Sequence, residues 1–291
     1  MNEPAISFTT TRAEYDRRGE VNFSKLKVLG LKTPAHYHAA LLAPVDDDTD
    51  ARQRGRAVHC AVLEPTRFRS DFVTWDGGPR NPKSAKWIDF QQDNGGKEII
   101  TRGMNDAALS MARAANAIPA ARPYLMGGKS EATLLWPFVR ATLGAVGGYT
   151  MQCKSRLDFI ADCGALVDLK TTRDASPSGF GREVARYAYH VQAAFYRRAY
   201  FVVTGKLLPY KFVAIEAAAP HVGAVYNVTD EAFELGEATF TEWMDRLHAC
   251  QRDNRWPGYG EGEMAVELPH WLHPDDDEND DLTGLIHTEA A

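Results

Sequence analysis

Long apolar runs, paired cysteines and an excess of basic residues are all missing from this 291-residue chain. No apolar stretch approaches the roughly 20 residues that a membrane-spanning helix needs, and the N-terminus lacks the pattern of a signal peptide. The four cysteines are scattered and include no Cys-x-x-Cys pair, so neither a zinc ribbon nor a disulfide framework is expected. We therefore expect a reduced, cytoplasmic protein without a membrane partner.

The chain also lacks the positive net charge that is typical of nucleic-acid-binding proteins, since its formal net charge is −6. Six acidic residues, however, lie in one short run between Asp275 and Asp281. Without those six the formal net charge is zero, which leaves room for a locally basic groove. We expect a flexible N-terminal segment, residues 1–20, a single domain, residues 21–272, and a disordered acidic tail, residues 273–291.

Near its middle the chain has a hairpin pattern that combines regular alternation with acidic residues. Two strands flank a turn at 162–164, and each alternates apolar with polar residues. If Gly164 is left-handed in a three-residue turn, Asp158 on the first strand lies opposite Asp168 on the second. Opposed carboxylates repel each other unless a cation lies between them. Mg²⁺ is commonly bound by one or two carboxylates together with water.

Lys170 lies two residues after Asp168 and therefore on the same face of the strand. An ammonium beside a metal-binding acid pair suits phosphodiester hydrolysis, because it stabilises developing negative charge or orients water. An Asp-x-Lys tripeptide on its own is equally typical of a solvated strand edge. The matching acid on the first strand favours the functional interpretation.

Two helical patterns flank the hairpin in sequence. His59 lies on a helix predicted over residues 51–63, one turn after Gly55, where a glycine would allow another segment to approach closely. A lone histidine on such a helix is more often a core or surface residue than a ligand. Gln192 and Tyr196 lie four residues apart on one face of a later helix, a spacing that an ordinary buried face also shows.

In this order and spacing, the residues resemble the motifs of the PD-(D/E)xK nuclease superfamily, and most of all its phage-recombination branch, the exonuclease VIII (RecE) nuclease domain. The resemblance covers about residues 23–271. The segments that carry it are residues 24–27, 54–65, 167–172, 189–196 and 256–259. The Pro-Asp doublet that names the superfamily is replaced here by Leu157-Asp158, which makes the role of Asp158 less secure than that of Asp168.

The resemblance implies an α/β domain with a restriction-endonuclease-like PD-(D/E)xK core, in which helices flank a mixed central β-sheet. It also implies a metal-dependent exodeoxyribonuclease of phage or prophage origin, acting in a bacterial host cell. Such an enzyme digests linear double-stranded DNA from its ends, 5′ to 3′, and leaves 3′ single-stranded tails for recombination by strand annealing. Its cofactor would be Mg²⁺, with Mn²⁺ as a substitute, and its partner a single-strand annealing protein of the RecT or Beta type.

The resemblance further implies a role for each matching residue. The expected metal ligands are His59, Asp158, Asp168 and the carbonyl of Leu169. The expected residues around the metal are Glu131, Lys170, Gln192 and Tyr196. Lys170 would assist the nucleophile and Glu131 would support a metal or its water. Gln192 and Tyr196 would hold the site or the DNA.

The end-digesting nucleases that the chain resembles form rings, which implies a homo-oligomer of three or four subunits. A closed ring retains linear duplex by topology, which a chain with little positive charge would need. Three arginines on the helix of His59 are candidates for lining the passage: Arg52, Arg54 and Arg56. An ordinary solvated basic face has the same pattern.

Two other interpretations remain open. A nuclease of the RecB or CRISPR-associated type shares the histidine and the Gln-x-x-x-Tyr motif, although the scattered cysteines do not suit its iron–sulfur form. The other is a non-catalytic DNA-binding phage protein with a decayed nuclease core. The intact acids and lysine of the hairpin argue against decay.

Overall fold

A computed structural model describes residues 3–43, 49–141, 147–260 and 262–267 of the chain. Its strands are β1 (Ala5–Ser7), β2 (Phe72–Trp75), β3 (Glu98–Thr101), β4 (Gly128–Arg140), β5 (Tyr149–Ala161), β6 (Ala165–Thr172), β7 (Tyr210–Glu216) and β8 (Gly223–Asn227). Its helices are α1 (Arg12–Arg17), α2 (Phe23–Leu31), α3 (Pro34–Leu42), α4 (Asp50–Leu63), α5 (Pro65–Asp71), α6 (Ala85–Asp93), α7 (Arg102–Ala117), α8 (Arg122–Leu125), α9 (Pro177–Arg186), α10 (Tyr189–Thr204) and α11 (Asp230–Asp253). Within these ranges no helix has both the length and the hydrophobicity to cross a membrane. The acidic tail expected at 273–291 lies outside the described residues.

A six-stranded mixed sheet forms the centre of the fold, in the order β1-β4-β5-β6-β7-β8. Its neighbouring strands are antiparallel except for the parallel β6–β7 pair. In the chain, α9 and α10 connect β6 to β7 and provide the crossover that a parallel pair requires. β2 and β3 form a separate parallel pair. The mixed central sheet with flanking helices, predicted from the sequence, is confirmed.

Apolar side chains cover both faces of the sheet. One cluster joins the sheet to α2, α10 and α11 and includes Trp136, Phe195 and Phe240. A second cluster joins the opposite face to α4 and α7 and includes Val58 and Met111. The central strands are therefore enclosed between helices, and any polar side chain on them needs a specific partner.

The β5–β6 hairpin has the register that the sequence predicted. Ala161 pairs with Ala165 across a turn in which Gly164 has a φ of +84°, a conformation that glycine adopts without steric cost. The paired residues end one position before Asp158 and Asp168. The two acids are thus the first opposed residues beyond the ladder.

The N-terminal segment differs from the flexible stretch expected at residues 1–20. β1 pairs with β4 at the edge of the sheet, and a capping box at Thr11 begins α1. Lys154, buried on β5, donates hydrogen bonds of 2.6 Å to the backbone oxygens of Tyr15 and Arg18. Residues 3–20 are thus held in part by a lysine far along the chain, which the local sequence does not reveal.

Candidate active site

The candidate site is centred on the two opposed carboxylates of the hairpin. Asp168 is 2% exposed, and its Oδ2 accepts a 3.0 Å hydrogen bond from the hydroxyl of Tyr210 on β7. Oδ2 of Asp158 accepts a 3.2 Å hydrogen bond from the backbone N–H of Leu169. Burial, followed by the negative charge of Asp168, raises the pKa of Asp158 well above its ordinary value. The site therefore disfavours two ionised carboxylates unless positive charge compensates them.

Lys170 provides positive charge at this place. Its Nζ lies 2.8 Å from Asp168 Oδ1 and donates a 3.0 Å hydrogen bond to Oε1 of Gln192 on α10. Nζ also lies 4.3 Å from the centre of the Tyr189 ring. Burial lowers the pKa of Lys170, but the charges of Asp168 and Asp158 outweigh it and raise the pKa above its ordinary value. The ammonium is therefore both charged and fixed in direction.

His59 approaches the acids from α4. Its Nδ1 lies 3.4 Å from Asp158 Oδ2, and its side chain is 29% exposed. Burial lowers the pKa of His59, while the charge of Asp168 and a hydrogen bond with the Leu169 backbone act in the opposite direction. The net lowering favours the neutral imidazole, which is the form that binds metals. The structure thus places His59 beside Asp158, and Asp158 beside Asp168 and the backbone of Leu169.

Among the described residues, Gly55, one turn before His59, does not have the neighbouring segment that was expected. A Cβ added to Gly55 would meet no described atom within 4 Å. The close approach of another segment, predicted from the sequence, is therefore not made by the described part of this chain. The space beside α4 at this level is open.

Glu131 and Tyr196 lie at the margin of the site. The β4–β5 register places Glu131 level with Asp158, but its carboxylate pairs with Arg156. Tyr196 is 8% exposed and belongs to the apolar cluster around α10. Burial raises the pKa of Tyr196 well above its ordinary value, so the phenol is neutral and packs as a core side chain one helical turn after Gln192.

The three arginines of α4 do not share one surface. Arg52 and Arg56 lie seven and three residues before His59, on the same side of the helix. Arg54 falls on the opposite side by the same spacing. Arg56 forms a 2.6 Å ion pair with Glu98 on β3. Helical periodicity therefore separates Arg54 from the other two arginines, although all three were expected to contact DNA together.

The family of this chain follows from a comparison with known proteins. A family model described as "PDDEXK-like domain of unknown function (DUF3799)" matches residues 22–267. The chain belongs to this PDDEXK-like family. The membership confirms the resemblance to PD-(D/E)xK nucleases, which was inferred from the hairpin acids, the lysine and the surrounding motifs.

Among solved structures, the PDDEXK-like chain is similar to the crystal structure of a "Putative exonuclease" from Eubacterium rectale. The two share 15% sequence identity at a TM-score of 0.58, over 89% of this chain and 95% of that chain. At this identity the likeness shows the fold alone. The structure of SSO0001 matches at 14% identity over 81% of this chain and 88% of that chain, with a TM-score of only 0.26 that supports no argument. No curated protein matches the chain.

Sequence reasoning missed three residues of the PDDEXK-like site. Tyr210, which contacts Asp168, comes from a segment with no motif of its own. Tyr189, which contacts Lys170, begins the segment 189–196 that contributed to the family resemblance. Lys27 on α2 is half-buried; burial lowers its pKa, and the nearby charge of Lys170 lowers it further. In the part of the chain that the structure describes, no carboxylate forms an ion pair with Lys27. Its segment, residues 24–27, did contribute to the family resemblance, so a signal for it was present.

The residues at the centre of the PDDEXK-like site fit a divalent cation. Asp168 Oδ1 is buried, and the Lys170 ammonium lies 2.8 Å from it, while no other described group donates a hydrogen bond to it. The oxygen keeps a lone pair available, and carboxylate oxygens are preferred ligands of Mg²⁺. Across the described residues, however, no three His, Cys, Asp or Glu side chains are already arranged around a metal position. The fit therefore depends on the acid pair itself.

Proposed function

We propose that this PDDEXK-like domain is a metal-dependent exodeoxyribonuclease that digests linear double-stranded DNA from its ends, 5′ to 3′. The observation that carries the proposal is the connected set of Asp158, Asp168, Lys170 and Gln192 at the centre of the sheet. Membership of a PDDEXK-like family supports nuclease chemistry. Action from DNA ends, and the 3′ tails it would leave for recombination by strand annealing, rest on the motif resemblance.

The acid pair would hold the metal, Mg²⁺ or Mn²⁺ in its place. Asp158 and Asp168 supply carboxylate oxygens, with His59 and the carbonyl of Leu169 beside them. A bound divalent cation polarises the phosphodiester and lowers the pKa of water. Tyr210 occupies Oδ2 of Asp168, which leaves Oδ1 as the oxygen that faces the site.

Lys170 would act through its charge rather than as a proton acceptor. Because the acids raise its pKa, the ammonium keeps its proton and stabilises negative charge that develops on the phosphate, or orients the attacking water. Gln192 accepts a hydrogen bond from Nζ and so fixes where that charge points. Lys27, charged and without an ion-pair partner among the described residues, is suited to bind a neighbouring phosphate.

We also propose that three or four copies form a ring around duplex DNA, in the cytoplasm of a bacterial host, and that a single-strand annealing protein receives the product. The formal net charge outside the acidic run is zero, so general attraction holds DNA weakly and a ring would supply the retention. Arg52, exposed on the His59 side of α4, is a candidate for lining the passage.

End-labelled linear duplex and covalently closed circles, each incubated with Mg²⁺ or with EDTA, test the proposal. We expect processive 5′ to 3′ loss of label from linear DNA with Mg²⁺ alone, and intact circles. Light scattering should give a trimer or tetramer. Asp168→Ala is the matched control, and activity that persists in this variant would come from another protein. Ready nicking of circles would contradict the exonuclease, and a monomer would contradict the ring.

A further inference from the structure

Glu131 has an unusual backbone conformation for a strand residue. Its φ is +54°, in the left-handed region that residues other than glycine rarely adopt. It lies between two regular β4–β5 pairs, Ser130 with Phe159 and Ala132 with Leu157, so the distortion is confined to one position. Such strain persists only where the surrounding structure fixes it, and it is concentrated at functional sites.

Arg156 on β5 is the side chain that fixes Glu131. Its side chain is 11% exposed, and its Nε donates to the carboxylate of Glu131. Its Nη1 donates to the backbone oxygen of Thr10 at 2.9 Å and to Thr133 Oγ1 at 3.1 Å. A planar guanidinium bound on three sides keeps one orientation. Thr10 precedes the family match at residues 22–267, so the N-terminal segment contributes to this arrangement.

Without Arg156, the carboxylate of Glu131 would have the acid pair as its neighbour. Glu131 falls at the level of Asp158, between two regular β4–β5 pairs. Arg156, which binds its carboxylate, lies two residues before Asp158 and therefore on the same face of β5. A third carboxylate there would complete a three-acid metal site with Asp168. In the described residues that three-acid group is not formed, and the carboxylate is bound to Arg156 instead.

We propose that Arg156 is a positioning residue that withholds Glu131 from the metal-ligand set. The inference rests on the proposed metal-dependent nuclease. With two carboxylates, Asp158 and Asp168, bound Mg²⁺ keeps several of its waters, as it does in most protein sites. Glu131, bound to Arg156, is left to act on water rather than on the ion. A free third carboxylate would bind the ion more tightly and increase repulsion in the metal-free protein.

Calorimetric titration of the metal-free full-length chain with Mg²⁺ tests this, using wild type, Arg156→Met, Glu131→Gln and the double variant. We expect Arg156→Met to bind Mg²⁺ about tenfold more tightly than wild type, the scale of effects from residues around a metal site. Glu131→Gln should bind Mg²⁺ as wild type does. The double variant should also return to wild-type affinity, since the gain requires the released carboxylate.

Affinity that is unchanged or weaker in Arg156→Met would overturn the inference. Equally tightened binding in the double variant would also overturn it, because the loss of the guanidinium charge alone would then explain the gain. If circular dichroism shows that Arg156→Met does not fold, Glu131→Gln decides alone. Weaker Mg²⁺ binding by Glu131→Gln would show that Glu131 is already a ligand, and equal binding would support the withheld carboxylate. Wild-type protein that binds no Mg²⁺ would overturn the proposed function together with this inference.

Discussion

Two buried lysines on neighbouring central strands, Lys154 and Lys170, lie in opposite kinds of surroundings. The anchor, which we define as Lys154 with the carbonyls of Tyr15 and Arg18, satisfies its ammonium with neutral backbone oxygens. The acid site, defined as Asp158, Asp168 and Lys170, satisfies its ammonium with a carboxylate.

The two lysines also differ in the direction of their pKa shifts. Burial lowers the pKa of Lys154, since no charged partner compensates fully, whereas the two acids raise the pKa of Lys170. A lysine attached to carbonyls holds two segments together, while one attached to an acid pair holds charge for use. The partners of each lysine, rather than its burial, indicate its role.

The strongest test of this contrast is Lys170→Ala. We expect the DNA cleavage rate to fall roughly 100-fold or more, the scale for removing one contact to charge that develops in a transition state. The melting temperature should stay within a few degrees of wild type, since Asp158, whose pKa is already raised, can take up a proton when the ammonium is removed. Single-turnover cleavage of labelled duplex and a thermal melt are the measurements. A variant that unfolds, or that cuts DNA at the wild-type rate, would contradict the assignment of Lys170 to catalysis and of Lys154 to stability.

Lys154→Ala should have the opposite effect: it should lower stability and leave the acid site unchanged. Two buried backbone oxygens lose their donors, so the free energy of unfolding should drop by about 2–4 kcal/mol. Urea denaturation measures the loss. Below the unfolding transition, the Mg²⁺ affinity of the remaining folded protein should match wild type, because the anchor does not contact Asp158 or Asp168. Intact stability in this variant would show that the N-terminal segment does not depend on Lys154.

The acid site should also respond to pH in a particular direction. The pKa of Asp158 is raised in the folded state, so the folded protein binds more protons than the unfolded chain between the ordinary and the raised pKa. Metal-free protein should therefore lose stability as pH rises through that window. Mg²⁺ should restore stability most at the upper end of it.

Asp158→Asn is the matched variant for this pH dependence. It should stabilise the metal-free protein by roughly 1 kcal/mol at neutral pH. It should also remove most of the fall in stability with rising pH, and weaken Mg²⁺ binding. Thermal melts with EDTA and with Mg²⁺, taken at several pH values, measure all three. A wild-type pH profile in Asp158→Asn would mean that another group titrates.

The smallest expected effect belongs to Gly55→Ala, on the helix that carries His59 to the acid site. A Cβ at Gly55 meets no described atom, so the gain in helix propensity should raise stability by about 0.5–1 kcal/mol. We also expect weaker binding of duplex DNA, because the added methyl group would fill the open space beside α4 in which we expect the substrate to lie. Urea denaturation and a fluorescence binding titration measure these changes. Equal DNA binding would assign the glycine no role in recognition.

The parts of the fold that the sequence predicted are those encoded locally. Period-two alternation and Gly164 were enough for the hairpin register, and therefore for the opposition of Asp158 and Asp168. The start of α9 after Ser176 and the start of α11 after Thr229 also follow from local caps. Such features are predictable because their determinants lie within a few residues of one another.

The parts that escaped prediction are those in which distant segments supply the partner. Tyr210 reaches Asp168 only because β7 pairs in parallel with β6, and nothing in its own segment indicates a site. The pairing of Glu131 with Arg156 requires both the β4–β5 register and the N-terminal segment. Residues 3–20 are likewise held in part by Lys154.

The end of the β5–β6 ladder beside the acids has a consequence for observing this protein in solution. β5 and β6 occupy the middle of a six-stranded sheet, so fraying of the sheet edges leaves their amide protons protected from exchange with solvent. The Leu169 amide is a special case among them, because it donates to the side-chain carboxylate of Asp158 on the neighbouring strand β5. Its nuclear magnetic resonance frequency and exchange rate therefore follow the state of that carboxylate. One backbone proton thus reports, without any added label, when the acid pair takes up a proton or an ion.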